Sequence, residues 1–241
     1  MKFNILTAHS LEAKGEIGKA NIDPALSNPY KKLIDITLPN KEEYSNRHGY
    51  KLIVKVFEEE KDVTLPKQYL LRQNILDNNA DWLCWIDTDA IIMNMTIPLE
   101  SFIINNDADF IIGEDWNGIN SGVFFLKVNN KTLEFIDTCI KYKPIEYIKH
   151  TTPQWWWNSE QCAYTMNMFT INTVIVHHSL FNGYIIGARP DNDWRQYRIG
   201  PFNKEWTERK FQLGDFIVHF VGDYLSNKIV NAKHFIPQII R

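Results

Sequence analysis

The five residues Trp82-Leu83-Cys84-Trp85-Ile86 form an apolar run without polar alternation that stops at two carboxylates, Asp87 and Asp89, with only Thr88 between them. Such a run reads as a strand buried on both faces, the kind found inside α/β folds. Ligands of open α/β sheets gather in the crevice outside strand ends, so the acids stand where a site belongs. A second apolar run, Ala90-Ile91-Ile92-Met93, follows at once. The acids therefore interrupt apolar structure.

Two anionic oxygens this close repel unless a cation or a shared proton lies between them, and hard divalent ions such as Mg2+ or Mn2+ prefer oxygen ligands. An Asp-x-Asp pair around a cation is suited to gripping a diphosphate. Asp and Asn also punctuate loops through bonds to the backbone, and from these residues alone both readings stand.

A chain of 241 residues, 44% hydrophobic and 23% charged, can bury the core of one large α/β domain. We expect a single domain over 1–241. Its formal net charge is -3 with lysine and arginine scattered, so there is no electrostatic footprint for nucleic acid. Cys84, Cys139 and Cys162 lack metal-ligand spacing and read as reduced, buried thiols. The apolar part of Met1 to Thr7 is short for a signal peptide and no stretch has the length of a membrane span, so a soluble, cytoplasmic protein is expected.

Phe3 to Ala8 reads as a first buried strand ending in Thr7-Ala8-His9, where a nucleotide could sit. Tyr30 to His48 reads as helical, broken at Pro39 and resumed from Glu42 to His48. Lys51 to Phe57 is a strand, and Lys67 to Asn78 a helix with Leu70, Leu71, Ile75 and Leu76 on one face. Strands follow at Trp82 to Ile86, Phe110 to Gly113 and Val123 to Val128, then a helix from Thr132 to Tyr142. Later elements are a helix from Ser159 to Met168 and strands at Val174 to Val176 and Phe216 to Phe220. Alternation early and strand-loop texture late suggest two lobes, about 1–115 on the nucleotide side and about 116–241 on the acceptor side.

Several residues could carry chemistry. His219 interrupts an apolar strand; it is either a satisfied core histidine or a third ligand beside the acids. Gly222 would let backbone approach a phosphate. Asn120-Ser121-Gly122 precedes an apolar strand and fits either a tight turn or backbone passing a sugar. Trp155-Trp156-Trp157 cannot all face one way, and aromatic faces stack on sugars, so this segment is a candidate acceptor platform. Glu160-Gln161 puts a carboxylate and an amide nearby. Arg72, 15 residues before Asp87 on a helix expected beside its strand, is a candidate donor-sugar or phosphate contact, with Lys67 a weaker one.

Taken together, Trp85-x-Asp87-x-Asp89-Ala90, Asn120-x-Gly122-x-Phe124, Glu160-Gln161, Phe181-Asn182-Gly183-Tyr184 and Gly214-Asp215-Phe216-x-x-His219-Phe220-x-Gly222 resemble glycosyltransferase family 34. Arg47-His48-Gly49-Tyr50 is similar to the segment between that family's first two strands, and the likeness spans roughly residues 3 to 225. The resemblance implies a GT-A fold, a mixed Rossmann-like sheet flanked by helices with a smaller acceptor-side lobe. It also implies a retaining, metal-dependent transferase that moves a hexose or pentose from a nucleotide sugar to a glycan, with a UDP-sugar favoured over GDP-mannose. Asp87, Asp89 and His219 would hold Mn2+, or Mg2+, with Thr88 between the acids. Thr7, Ala8 and His9 would border the nucleotide, and Glu160 and Gln161 would lie near the anomeric carbon. Relatives often carry a diphosphate-binding lysine soon after the His-x-x-Gly segment; here Asp223 and Tyr224 stand nearby, and the first lysine is Lys228. Two other readings are a sugar-phosphate nucleotidyltransferase, disfavoured by the lack of an early Gly-rich loop, and a non-catalytic glycan-binding module.

Overall fold

The computed structural model describes residues 1–10, 29–57, 64–115, 118–143, 159–185, 209–221 and 225–241. Trp155, Trp156, Trp157 and Gly222 lie outside these residues.

A six-stranded mixed sheet carries β1 (Phe3–Ser10), β2 (Lys51–Phe57), β3 (Trp82–Ile86), β5 (Phe110–Asp115), β6 (Gly118–Lys127) and β7 (Thr173–His177) in the order β2-β1-β3-β6-β5-β7. β1, β2 and β3 are mutually parallel, β6 runs antiparallel to both neighbours, and β7 is parallel to β5. The carboxyl ends of five strands and the amino end of β6 therefore meet along one edge. A three-stranded sheet, β4 (Ala90–Ile92), β9 (Ile217–His219) and β8 (Gly183–Tyr184) in the order β4-β9-β8, lies against it.

The unalternating run in β3 has the expected cause. Trp82, Cys84 and Ile86 enter one core, shared with β4, β9, α1 (Pro29–His48) and α5 (Leu225–Phe235). Leu83 and Trp85 enter the other, under α2 (Thr64–Asp77), α3 (Asn130–Lys141) and α4 (Glu160–Asn167). All five residues of β3 are buried. No helix among the described residues is long and apolar enough to cross a membrane.

Three sequence expectations need correction. Pro39 does not break α1, which is continuous from Pro29 to His48. Proline removes the bond to the carbonyl four residues back, but Asp35 and Pro39 both face solvent, where water can satisfy that carbonyl. The opposite face is pinned by polar side chains. Asn40 exchanges bonds with both backbone groups of Ile92 (2.9 and 2.8 Å), Lys41 donates to the Ala90 carbonyl (2.8 Å), and Tyr44 donates to the Ile97 carbonyl (2.7 Å). The second correction concerns α2, where Leu71 and Ile75 are buried but Leu76 is 47% exposed; the inner face is completed by Lys67, Gln68 and Asn74. Third, Asn120, Ser121 and Gly122 do not precede β6 but lie within it, because pairing with β5 extends the strand back to Gly118.

Candidate active site

The acids occupy a tight turn between β3 and β4. The Ala90 amide donates to the Asp87 carbonyl (3.2 Å), the Asp87 amide to the Gly122 carbonyl (2.8 Å), and the Phe220 amide to the Asp89 carbonyl (3.1 Å). Thr88 turns the other way, its hydroxyl donating to the Ala8 carbonyl at the end of β1 (2.8 Å). Backbone bonds thus tie the acid turn to β6 and the end of β9, and the Thr88 hydroxyl ties it to β1.

His219, 130 residues beyond Asp89, is brought beside the acids because β9 pairs antiparallel with β4, setting Ala90 opposite His219. Its Nε2 lies 3.1 Å from Asp89 Oδ1 and 4.0 Å from Asp87 Oδ2. One ligand atom from each of Asp87, Asp89 and His219 falls within 4.8 Å of the others.

The ring's orientation follows from a chain of bonds behind it. The Gly122 amide can only donate, and it donates to Asn120 Oδ1 (2.9 Å). Asn182 must therefore approach that oxygen with its Nδ2 (3.0 Å), which leaves its Oδ1 facing His219 Nδ1 (2.8 Å). An acceptor there requires Nδ1 to carry a proton, which leaves Nε2, the nitrogen that faces the acids, as the one able to ligate a metal. Partners behind a ligating histidine are typically worth about 10–100-fold in metal affinity. Asn182→Ala should weaken Mn2+ binding by about that factor and lower the thermal midpoint by several degrees, because the buried His219 Nδ1–H loses its acceptor; unchanged binding by calorimetric titration would remove Asn182 from this role.

The electrostatics of the acids differ. Burial pushes the Asp87 carboxyl up, with the Asp89 charge adding, while Lys67, His219 and the Trp85 indole pull it back only in part. Asp89 is also raised by burial, yet Lys228 and His219 outweigh it and hold the group well below the usual carboxylate range. The donors gathered here, two carboxylates and the imidazole Nε2, suit Mn2+ or Mg2+. The site fits a divalent ion.

Lys67 is the residue the sequence undervalued. Its ammonium donates to the Ser121 carbonyl (2.6 Å) and Glu160 Oε1 (3.0 Å), lies 3.5 Å from Asp87 Oδ1, and sits 4.6 Å from the centre of the Trp85 ring. Arg72, rotated about 140° around α2 from Lys67, pairs instead with Asp137 on α3 (2.6 Å). A buried face of α2 carrying lysine needs acids to meet it, and the chain supplies Asp87 and Glu160.

Ser121 joins these groups to α4. Its hydroxyl donates to Glu160 Oε1 (2.9 Å) and its amide to Gln161 Oε1 (3.3 Å). Ser159 caps α4 by accepting from the Cys162 amide, which fixes the first turn that presents Glu160 and Gln161. Burial alone would raise Glu160, but Lys67 and Ser121 hold it below its ordinary value and therefore ionised. Glu160 and Asp87 share one ammonium, and the 3.0 and 3.5 Å legs cap the separation of the two contacting oxygens at 6.5 Å. At the end of β1, Thr7 is buried, and among the described residues neither its hydroxyl nor His9 Nδ1 has a hydrogen-bond partner. Lys228, on α5, pairs with Asp89 Oδ2.

Comparison with known proteins agrees with this geometry. The sequence profile of the galactosyl transferase GMA12/MNN10 family matches residues 17–109 and 104–228. The chain is 27% identical over 133 residues to a probable alpha-1,6-mannosyltransferase, MNN10, of Saccharomyces cerevisiae, covering 38% of this chain and 32% of that one. It is 23% identical over 251 residues to an alpha-1,2-galactosyltransferase of Schizosaccharomyces pombe, covering 86% and 61%. The chain thus spans about a third to under two thirds of the length of these relatives. Among solved structures, a glycosyltransferase involved in glycosylation of the major capsid of PBCV-1 superposes with a TM-score of 0.65 at 16% identity, covering 97% of this chain and 100% of that one. The fold is that of GT-A glycosyltransferases.

Proposed function

The chain belongs to the galactosyl transferase GMA12/MNN10 family, and from that premise we propose that it is a metal-dependent, retaining glycosyltransferase. In this reading a hexose or pentose passes from a nucleotide sugar to a glycan acceptor. The observation that carries the proposal is the convergence of Asp87, Asp89 and His219, with ligand atoms within 4.8 Å, at the carboxyl edge of the sheet. Galactosyltransferases and a mannosyltransferase among the relatives support galactose as the transferred sugar with mannose second, and in this reading the donor is a UDP-sugar ahead of GDP-mannose.

Asp87, Asp89 and His219 would hold Mn2+, with Mg2+ as substitute. When bound, the ion would neutralise charge on the departing diphosphate, the kind of electrostatic stabilisation that dominates such reactions. The chain's own residues supply the rest. Asn182 holds the His219 ring, and Thr88 holds the acid turn against β1, whose Thr7, Ala8 and His9 would border the nucleotide. Lys67 keeps Glu160 ionised and fixes it beside Asp87, so that its negative charge supports an oxocarbenium-like anomeric carbon, with Gln161 beside it. In the transfer, the acceptor oxygen bonds to that carbon as the bond to the diphosphate oxygen breaks, and the acceptor proton passes to the departing diphosphate. Residues up to about 115 would serve the donor and those from about 116 the acceptor, with Trp155, Trp156 and Trp157 as the stacking platform and Gly222 beside the phosphates.

The test is a thermal-shift panel of UDP-galactose, UDP-glucose, UDP-xylose and GDP-mannose with and without Mn2+. Ligands that bind only the native state raise its midpoint, by roughly 2.7 kcal/mol of stabilisation at a hundredfold excess over Kd. A UDP-sugar should do so only with Mn2+. Equal shifts in chelator, or no shift, would reject the proposal. Pyrophosphate release from a nucleoside triphosphate and a sugar phosphate would mark a nucleotidyltransferase, and glycan binding indifferent to metal a binding module.

A further inference from the structure

Trp85 lies on β3 and Asp87 two residues on, the spacing at which side chains along a strand share a face. The indole Nε1 donates to Asp87 Oδ1 (2.6 Å), and the Lys67 ammonium lies 3.5 Å from that same oxygen. The indole has no room to turn away. Trp85 is buried, with its ring stacked on Phe124 (6.4 Å between centres, 15° between planes) and Lys67 4.6 Å from its own centre. Asp87 Oδ2 is turned the other way, 4.0 Å from His219 Nε2. One oxygen of Asp87 is thus held by the protein, and the other faces the ligating nitrogen. A buried indole N–H needs an acceptor wherever it lies, and any backbone carbonyl would serve. Here the acceptor belongs to the metal set, and the donor is uncharged, so it holds the carboxylate without repelling a cation.

We propose that Trp85 is a positioning residue that restricts Asp87 to a single oxygen toward the ion, and that this restriction makes the site select Mn2+ or Mg2+ over Ca2+. The proposal rests on the glycosyltransferase reading for the identity of the ligands and adds what decides the ion. Ca2+ gathers about six to eight oxygens at roughly 2.3–2.6 Å in a flexible shell, to which one carboxylate can give both of its own. Mg2+ demands near-ideal octahedral geometry at about 2.0–2.1 Å. Ligand number and rigidity therefore separate the two kinds of ion. A carboxylate bonded through one oxygen to a packed indole cannot rotate to present both, and the imidazole adds a nitrogen where Ca2+ would take oxygen.

Calorimetric titration of Mn2+ and of Ca2+ at one fixed pH, with and without UDP, tests this on wild type, Trp85→Phe and, as a packing control, Phe124→Leu. Wild type should bind Mn2+ about tenfold or more tighter than Ca2+. Phenylalanine keeps an aromatic ring against Phe124 and Lys67 but has no N–H to donate. Trp85→Phe should weaken Mn2+ by about 10–100-fold, the usual loss when a partner behind a metal ligand is removed, and leave Ca2+ unchanged or tighter. The ratio of the two affinities then falls by about tenfold or more. General loosening of the site would instead move both constants together, and Phe124→Leu supplies that case, with a lowered thermal midpoint and the ratio of wild type. Should Trp85→Phe fail to fold, the benzothiophene analogue of tryptophan at position 85, which has the shape of the indole without its N–H, carries the same expectation. An unchanged ratio on loss of the N–H, an equal fall in Phe124→Leu, or a wild-type preference for Ca2+ would overturn the proposal, while a Mn2+-dependent thermal shift with a UDP-sugar would leave the enzyme reading intact. Wild-type protein that binds neither ion, with or without UDP, would overturn both.

Discussion

Asp89→Asn is expected to lower sugar transfer by about a thousandfold or more, the equivalent of roughly 4 kcal/mol of transition-state stabilisation. Asparagine keeps the size of the side chain and an oxygen toward His219 or Lys228, but it removes the charge on which a divalent ion depends. The fold should survive. Asp89 is bound to β9 through its backbone carbonyl, which accepts from the Phe220 amide (3.1 Å) and is untouched by the substitution. The lost pairing with Lys228 is partly offset, because the Asp89 charge is one of the influences that push Asp87 up. Thermal midpoint and circular dichroism should therefore stay near wild type while Mn2+-dependent nucleotide binding disappears. Turnover within a few-fold of wild type, measured with saturating Mn2+ and donor, would sink the role given to the acid pair.

The acid pair was legible because a strand buried on both faces announces its own end. Apolar content identifies such a strand without any partner, and two acids at its terminus have few uses inside a folded protein. His219 was legible for the same reason, as a polar ring in an apolar run. Lys67 and Asn182 were not, because their value lies in what they meet. Lys67 looked like a solvated lysine at a helix start until α2 was seen to turn that face onto Ser121, Glu160 and Trp85. Asn182 stood only within the Phe181-Asn182-Gly183-Tyr184 stretch with no role of its own, and only the pairing of β8 with β9 sets it behind the imidazole. Pro39 misled for a related reason. Its effect on a helix depends on whether the freed carbonyl faces water or core, and that facing is fixed by α1 docking on β4, far along the chain.

Gly122→Ala should damage the site almost as much as loss of a ligand, although Gly122 contributes no side chain. A Cβ built on Gly122 would lie 2.0 Å from His219 Cε1, 2.7 Å from His219 Nδ1 and 3.0 Å from Asn120 Oδ1. The first two distances are impossible for real atoms, so the ring, the strand or both must move. β6 is the less yielding partner. It is paired with β3 up to Val123 and with β5 on either side of a bulge that leaves Ser121, Gly122 and Val123 out of that ladder, and the Gly122 carbonyl accepts from the Asp87 amide (2.8 Å). The imidazole is therefore the group expected to give way, breaking its bond to Asn182 and turning Nε2 from the acids. Overpacking of this kind costs about 1–3 kcal/mol of stability, and a misplaced ligand costs at least the 10–100-fold in metal affinity attached to disturbed partners of a ligating histidine. The variant should remain folded at room temperature, with a midpoint lowered by several degrees and Mn2+ binding weakened by about a hundredfold. The same glycine then explains why the strand carries Asn-Ser-Gly within an otherwise apolar stretch: Asn120 braces Asn182, Ser121 ties Glu160 and Gln161, and Gly122 leaves the space that the metal-facing ring fills. Wild-type Mn2+ affinity in Gly122→Ala would show that His219 does not depend on that space and would remove the imidazole from the proposed ligand set.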